Sequence, residues 1–75
     1  MDVSRVTNMS YMFCNSKFNG DISRWDVSGV KDMWAMFEDS EFNQNIDRWN
    51  VSNVRDMRDM FKKNPLEKNP PEWYK

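Results

Sequence analysis

Few side chains in this chain of 75 residues have the chemistry of an active site. It contains no histidine, and its single cysteine is Cys14. A nucleophile therefore has no imidazole base beside it, and a structural zinc has no Cys/His cluster to bind it. We expect a protein that is not an enzyme, with no catalytic residue, cofactor or metal site.

One acidic stretch has a spacing that resembles a calcium loop. Oxygen-bearing side chains alternate with other residues at Asp39, Glu41, Asn43, Asn45 and Asp47. The EF-hand loop also requires glycine at its sixth position and glutamate at its twelfth, and both are missing here. The alternative is that these are turn residues, with Asn19 and Asn43 hydrogen-bonded between neighbouring coils.

A 24-residue internal repeat must position all of these side chains. Trp25, Trp49 and Trp73 lie 24 residues apart, and most other positions that recur at this interval are apolar. Identical in all copies are Val3/Val27/Val51, Ser4/Ser28/Ser52, Val6/Val30/Val54, Met9/Met33/Met57, Met12/Met36/Met60 and Phe13/Phe37/Phe61. We expect one domain over residues 1–75, with repeats 2–25, 26–49 and 50–73, the last degenerate and capping.

The apolar spacing within a copy predicts its local structure. Val30, Met33 and Phe37 lie on one face of a helix about two turns long, with Ser28 as its N-cap. Before it, Trp25 and Val27 alternate with polar residues, as in a strand with one buried face. Stacked copies would then bury one continuous core. The predicted fold is an α/β repeat solenoid of three strand-helix-turn coils with a parallel sheet.

Two residues differ from their repeat equivalents. Trp34 takes a position held by Ser10 and Arg58, so it is either an extra contact residue or a cover over the helix layer. Cys14 takes a position held by Glu38 and Lys62, which indicates an exposed, incidental free thiol.

The repeat phrases are specific enough to carry a family resemblance. FNGDISRWDVSGVKDMWAMF and FNQNIDRWNVSNVRDMRDMF resemble the unit of the BspA-like leucine-rich-repeat surface proteins, which reads close to FNQDISNWDVSNVTNMSYMF. The resemblance implies a parallel leucine-rich-repeat solenoid, a location at the cell surface or outside the cell, and adhesion to partner proteins. Residues 1–20 carry no lipoprotein or secretory signal, which leaves the location to the resemblance alone.

Charge and hydropathy narrow the class of partner. The chain has 11 Lys and Arg against 12 Asp and Glu, and no apolar stretch approaches the roughly 20 residues that span a bilayer. We therefore expect a protein partner, no nucleic acid, no membrane insertion, and a monomer or a fragment of a longer array.

The predicted contact face is the polar side of the strands. Its members are Arg24, Asp26, Ser28, Arg48, Asn50, Ser52 and Tyr74, with Glu72 beside the last of them. The function expected from the sequence is a non-enzymatic protein-binding module of a surface-associated or secreted adhesin. The alternatives are a structural spacer or capping segment of a longer repeat protein, and an intracellular scaffold.

Overall fold

The predicted α/β solenoid is wrong. The structure is a computed structural model that describes residues 2–74, and within them there is no α-helix and no extended strand. Ladder pairing there is limited to two isolated parallel bridges, Asn8–Asp32 and Asp32–Asp56. The described part of the chain is instead a compact globule of turns around an aromatic cluster, with a Cα radius of gyration of 11.0 Å. A compact domain of this length is expected to have a radius of about 11 Å.

The region predicted as a helix consists of consecutive tight turns. In the second copy, the amides of Met36, Glu38 and Ser40 donate to the carbonyls of Met33, Ala35 and Phe37, each three residues back. Ala35 and Asp39 have φ of 55°, in the left-handed region that a right-handed helix excludes. We refer to residues 9–16, 33–40 and 57–64 as the turn segments. All three have a positive φ at their third and seventh residues.

Hydrogen bonds between copies explain why the turns replace a helix. In the first turn segment, alternate amides point to the next copy rather than along their own axis. Those of Met9, Tyr11, Phe13 and Asn15 donate to carbonyls 23 residues ahead, over 2.8–3.0 Å. The second turn segment repeats this with the third at 2.8–3.0 Å. An α-helix would use the same amides internally, so the two arrangements exclude each other.

The predicted strands are also replaced by turns. The amide of Trp25 donates to the carbonyl of Ile22, and the amide of Val30 donates to that of Val27. Ser28 does not cap a helix, because its own amide and hydroxyl bond to the Asp26 carboxylate at 3.0 and 2.6 Å. This is the local bonding by which Asp and Asn form turns.

The core contains the apolar positions that the repeat singles out. Equivalent phenylalanines stack through it, with ring centroids 5.6 Å apart for Phe13–Phe37 and 5.8 Å for Phe37–Phe61. Buried members are Val3, Met9, Ile22, Val27, Val30, Met33, Met36, Phe37, Phe42, Ile46, Trp49, Met60 and Phe61. The prediction of a continuous core with Trp and Val pointing inward is confirmed for Trp49, Val3 and Val27.

Side chains also bond one copy to the next. The indole N–H groups of Trp49 and Trp73 donate to the carbonyls of Ile22 and Ile46, both at 3.0 Å. Each bond spans 27 residues, so the Trp is anchored in the preceding copy as well as packed in its own. The structure describes no helix long and apolar enough to cross a membrane.

Candidate contact surface

An exposed group of two aromatic rings and one guanidinium forms the most distinctive surface of the molecule. Tyr11 and Trp34 lie 5.2 Å apart between ring centroids, at an interplanar angle of 56°. The guanidinium carbon of Arg58 lies 5.1 Å from the centroid of the Trp34 ring. One residue comes from each copy, and we call the three the aromatic column.

The turn segments fix the backbone beneath the aromatic column. Tyr11 has φ of 63°, at the third position of the turn from Met9 to Met12, where type II turns require a left-handed residue. Its amide donates to the carbonyl of Trp34 at 2.9 Å, and the amide of Trp34 donates to the Ser10 hydroxyl at 3.1 Å. The aromatic rings therefore project from anchored backbone.

Asp56 orients the cationic end of the aromatic column. Its carboxylate accepts from Nε of Arg58 at 3.1 Å and from Nη2 at 3.0 Å, a two-bond planar arrangement. These bonds lower the pKa of Asp56 and raise that of Arg58. The guanidinium is thus held flat near the indole face, where the ring quadrupole attracts a cation.

The rings of the aromatic column are accessible. Tyr11 is 49% exposed and Trp34 38% exposed, while most large apolar residues of the second copy are buried. Trp34 is therefore not a buried cover over the core. The sequence singled out Trp34 alone. Arg58 could have been found as the residue 24 positions later, but Tyr11 could not, because its approach depends on a turn that replaces the predicted helix.

The predicted polar face is largely at the surface, but it is not a row of strand residues. Arg24, Asp26, Arg48, Asn50 and Ser52 are exposed, and Ser28 is half-buried. The Asn50 side chain accepts from the amide of Ser52 at 3.1 Å, so Asn50, like Asp26, serves its own turn. Bonds from Ser28 lower the pKa of Asp26.

Tyr74 belongs to the core boundary. Its ring meets Phe61 edge-on with centroids 5.0 Å apart, and burial raises the pKa of its hydroxyl. Arg48 borders an open polar depression, which is otherwise lined by Asp21, Ser23, Gln44, Asn45 and Asp47. Arg24 does not line that depression.

The remaining chemical candidates are accounted for by local structure. Cys14 is half-buried, and desolvation with the nearby charges of Glu38 and Asp39 raises the pKa of its thiol, which opposes thiolate chemistry. The Asn19 side chain does bond to the next copy, although to the backbone amide of Asn43, at 2.7 Å. No group of three or more His, Cys, Asp or Glu in residues 2–74 is arranged to hold a metal ion.

Comparison with protein families gives one match that spans nearly the whole chain. The family described as "Mycoplasma protein of unknown function, DUF285" matches residues 1–74. Searches of the curated proteins and of the solved structures gave no match.

Proposed function

The chain belongs to the DUF285 family, and from this premise together with the aromatic column we propose that it is a non-enzymatic protein-binding module. The observation that carries the proposal is the exposure of Tyr11 and Trp34 beside an oriented Arg58. Trp, Tyr and Arg are the residues most enriched at the energetic centres of protein interfaces.

Rigidity favours this surface for binding. Ordering a side chain at an interface costs about 0.5–1.5 kcal/mol, and anchored residues avoid part of that cost. The two bonds from Asp56 already order Arg58, and backbone bonds at 2.9 Å hold Tyr11 and Ala35 to the following copies. Formal charge is −1, so no electrostatic attraction draws the chain to a nucleic acid backbone.

The repeat phrases support a location for this module. Their resemblance to BspA-like surface proteins favours a surface-associated or secreted adhesin-like protein whose ligand is another protein. Shape and chemistry favour a partner that places an apolar side chain on the Trp34 and Tyr11 rings.

Peptide display tests this function directly. The intact chain is immobilised, a random 12-residue peptide library is selected on it, and affinities of the enriched peptides are measured by calorimetry. Trp34→Ser is the decisive variant because the equivalent position in the first copy is Ser10. We expect it to weaken the selected peptides by about tenfold or more, the loss of a hot-spot side chain, without lowering the melting temperature.

A matched pair of variants distinguishes the two candidate surfaces. Arg24→Glu with Arg48→Glu changes the predicted polar face and leaves the aromatic column intact. Peptides that lose affinity to this pair and not to Trp34→Ser would overturn the aromatic column as the contact surface. A library that yields no binder above the background of a blocked surface would overturn the binding function.

A second function is favoured by one observation, the exposure of apolar side chains in the first copy. Met12 is 43% exposed and Phe18 38% exposed. A structural unit of a longer repeat protein would cover them, and this role needs no partner at the aromatic column.

A further inference from the structure

The two ends of the stacked copies differ in how they are covered. At the C-terminal end, Phe61 is only 1% exposed because Trp73 and Tyr74 pack against it, with centroids 6.2 and 5.0 Å away. The amide of Lys63 donates to the Glu67 carboxylate at 3.3 Å. The tail of the chain therefore closes this end.

The other end is open. Met12 is 43% exposed, whereas its equivalents Met36 and Met60 are fully buried. Phe18 is 38% exposed, whereas Phe42 is fully buried. Met36 and Phe42 each have a copy stacked before them, and the first copy has none within residues 2–74. We call this surface, formed by Met12, Phe18 and the backbone of residues 8–14, the open end.

The backbone of the open end has a row of free acceptors. In the second copy, the carbonyls of Asp32, Trp34, Met36 and Glu38 each accept an amide from the first. Their equivalents in the first copy are the carbonyls of Asn8, Ser10, Met12 and Cys14, which accept no hydrogen bond from residues 2–74. They recur at every second residue, as the occupied row does.

We propose that the open end is the docking surface for another 24-residue unit of the same repeat pattern. Alternate amides of the incoming unit donate to the four free carbonyls, and its apolar positions cover Met12 and Phe18. This contact continues, in the same register, the two interfaces between copies that the structure already contains. The proposal is independent of binding at the aromatic column.

Two copies of this chain do not satisfy the same surface. Two open ends facing each other would set one row of carbonyls against another, leaving acceptors without donors. The C-terminal end of a second copy is closed by Trp73 and Tyr74, which cover the position that an incoming unit's neighbour would need. The occupant is therefore a repeat unit with its amide edge free.

An extended chain tests the proposal. Residues 26–49 are duplicated and placed directly before Asp2, which keeps the 24-residue register, and the original chain remains complete. We expect one cooperative unfolding transition, a higher melting temperature, and a denaturant m-value larger by about one third, since m follows the surface buried. Oxidation of Met12 by peroxide, followed by mass spectrometry, should slow severalfold as the side chain is covered.

A scrambled unit of the same composition serves as the control and should leave the melting temperature and the oxidation of Met12 unchanged. In the original chain Met12→Lys should change stability little, because the side chain is exposed, whereas in the extended chain it should remove most of the gain. Equal oxidation rates of Met12 in the original and extended chains would overturn the proposal. Reversible dimerisation of the original chain with protection of Met12, measured by ultracentrifugation, would also overturn it, since the occupant would then be a second copy.

Discussion

Asn64 shows how a single residue joins two copies of the repeat. Its side-chain amide is buried and donates to the carbonyls of Ser40 and Phe42 at 3.2 and 3.0 Å, and to the Ser40 hydroxyl at 2.9 Å. Its side-chain oxygen accepts from the amide of Leu66 at 2.8 Å. Every buried side-chain polar atom in residues 2–74 has a hydrogen-bond partner.

Replacing Asn64 should separate hydrogen bonding from volume. Asn64→Leu leaves the buried acceptors of Ser40 and Phe42 unpaired, and should lower the free energy of unfolding by about 2–3 kcal/mol. Asn64→Ser restores the residue of the equivalent positions Ser16 and Ser40 and should cost about 1 kcal/mol. Urea unfolding measures both, and equal costs for the two variants would contradict this role.

At the scale of the element, the turn segments depend on a backbone conformation that their residues do not favour. Six non-glycine residues have a positive φ, two in each turn segment: Tyr11, Asn15, Ala35, Asp39, Asp59 and Lys63. Only asparagine and aspartate tolerate this region with modest strain. The hydrogen bonds between copies offset that strain.

Glycine should therefore stabilise one of these positions. Asp39 is exposed and has φ of 55°, so Asp39→Gly should raise the free energy of unfolding by about 0.5–1 kcal/mol by removing the left-handed strain. Glu41→Gly, at an exposed position without a positive φ, should lower it by a similar amount. Thermal melts of both variants give the comparison, and a loss of stability in Asp39→Gly would show that the turn is not strained there.

At the scale of the whole molecule, repeated turn bonds make stability depend on pH. Hydrogen bonds to backbone amides lower the pKa of Asp2 and Asp21, those from the Ser28 hydroxyl and amide lower that of Asp26, and those from Arg58 lower that of Asp56. A carboxyl group whose pKa is lower in the folded state contributes stability above its unfolded pKa, about 3.9. That contribution is lost as the pH falls through the folded pKa.

The acid limb of the stability profile should therefore flatten when these carboxylates are replaced. Asn45 and Asn50 occupy the positions equivalent to Asp21 and Asp26 and make the same turn bonds. We expect Asp21→Asn with Asp26→Asn to keep the fold at neutral pH and to reduce the loss of stability between about pH 5 and 2. Urea unfolding across this range is the measurement, and an unchanged slope would assign acid sensitivity to other groups.

The sequence alone determined which residues form the core and which residues align. Identity at 24-residue intervals identified the buried Met, Phe, Val and Trp positions, because burial restricts residue type whatever the backbone conformation. The same interval appears in the bonds between copies, including that from Trp49 to Ile22.

Only the tertiary structure decided the path of the backbone. Apolar residues at Val30, Met33 and Phe37 fit a helix, and they fit equally well a run of turns that brings the same side chains inward. The amides of Met33, Ala35 and Phe37 bond to the next copy instead of to their own segment. Such bonds depend on a neighbour 24 residues away, so local spacing carries no record of them. The aromatic column follows from the same choice, since Tyr11 reaches Trp34 only across stacked turns.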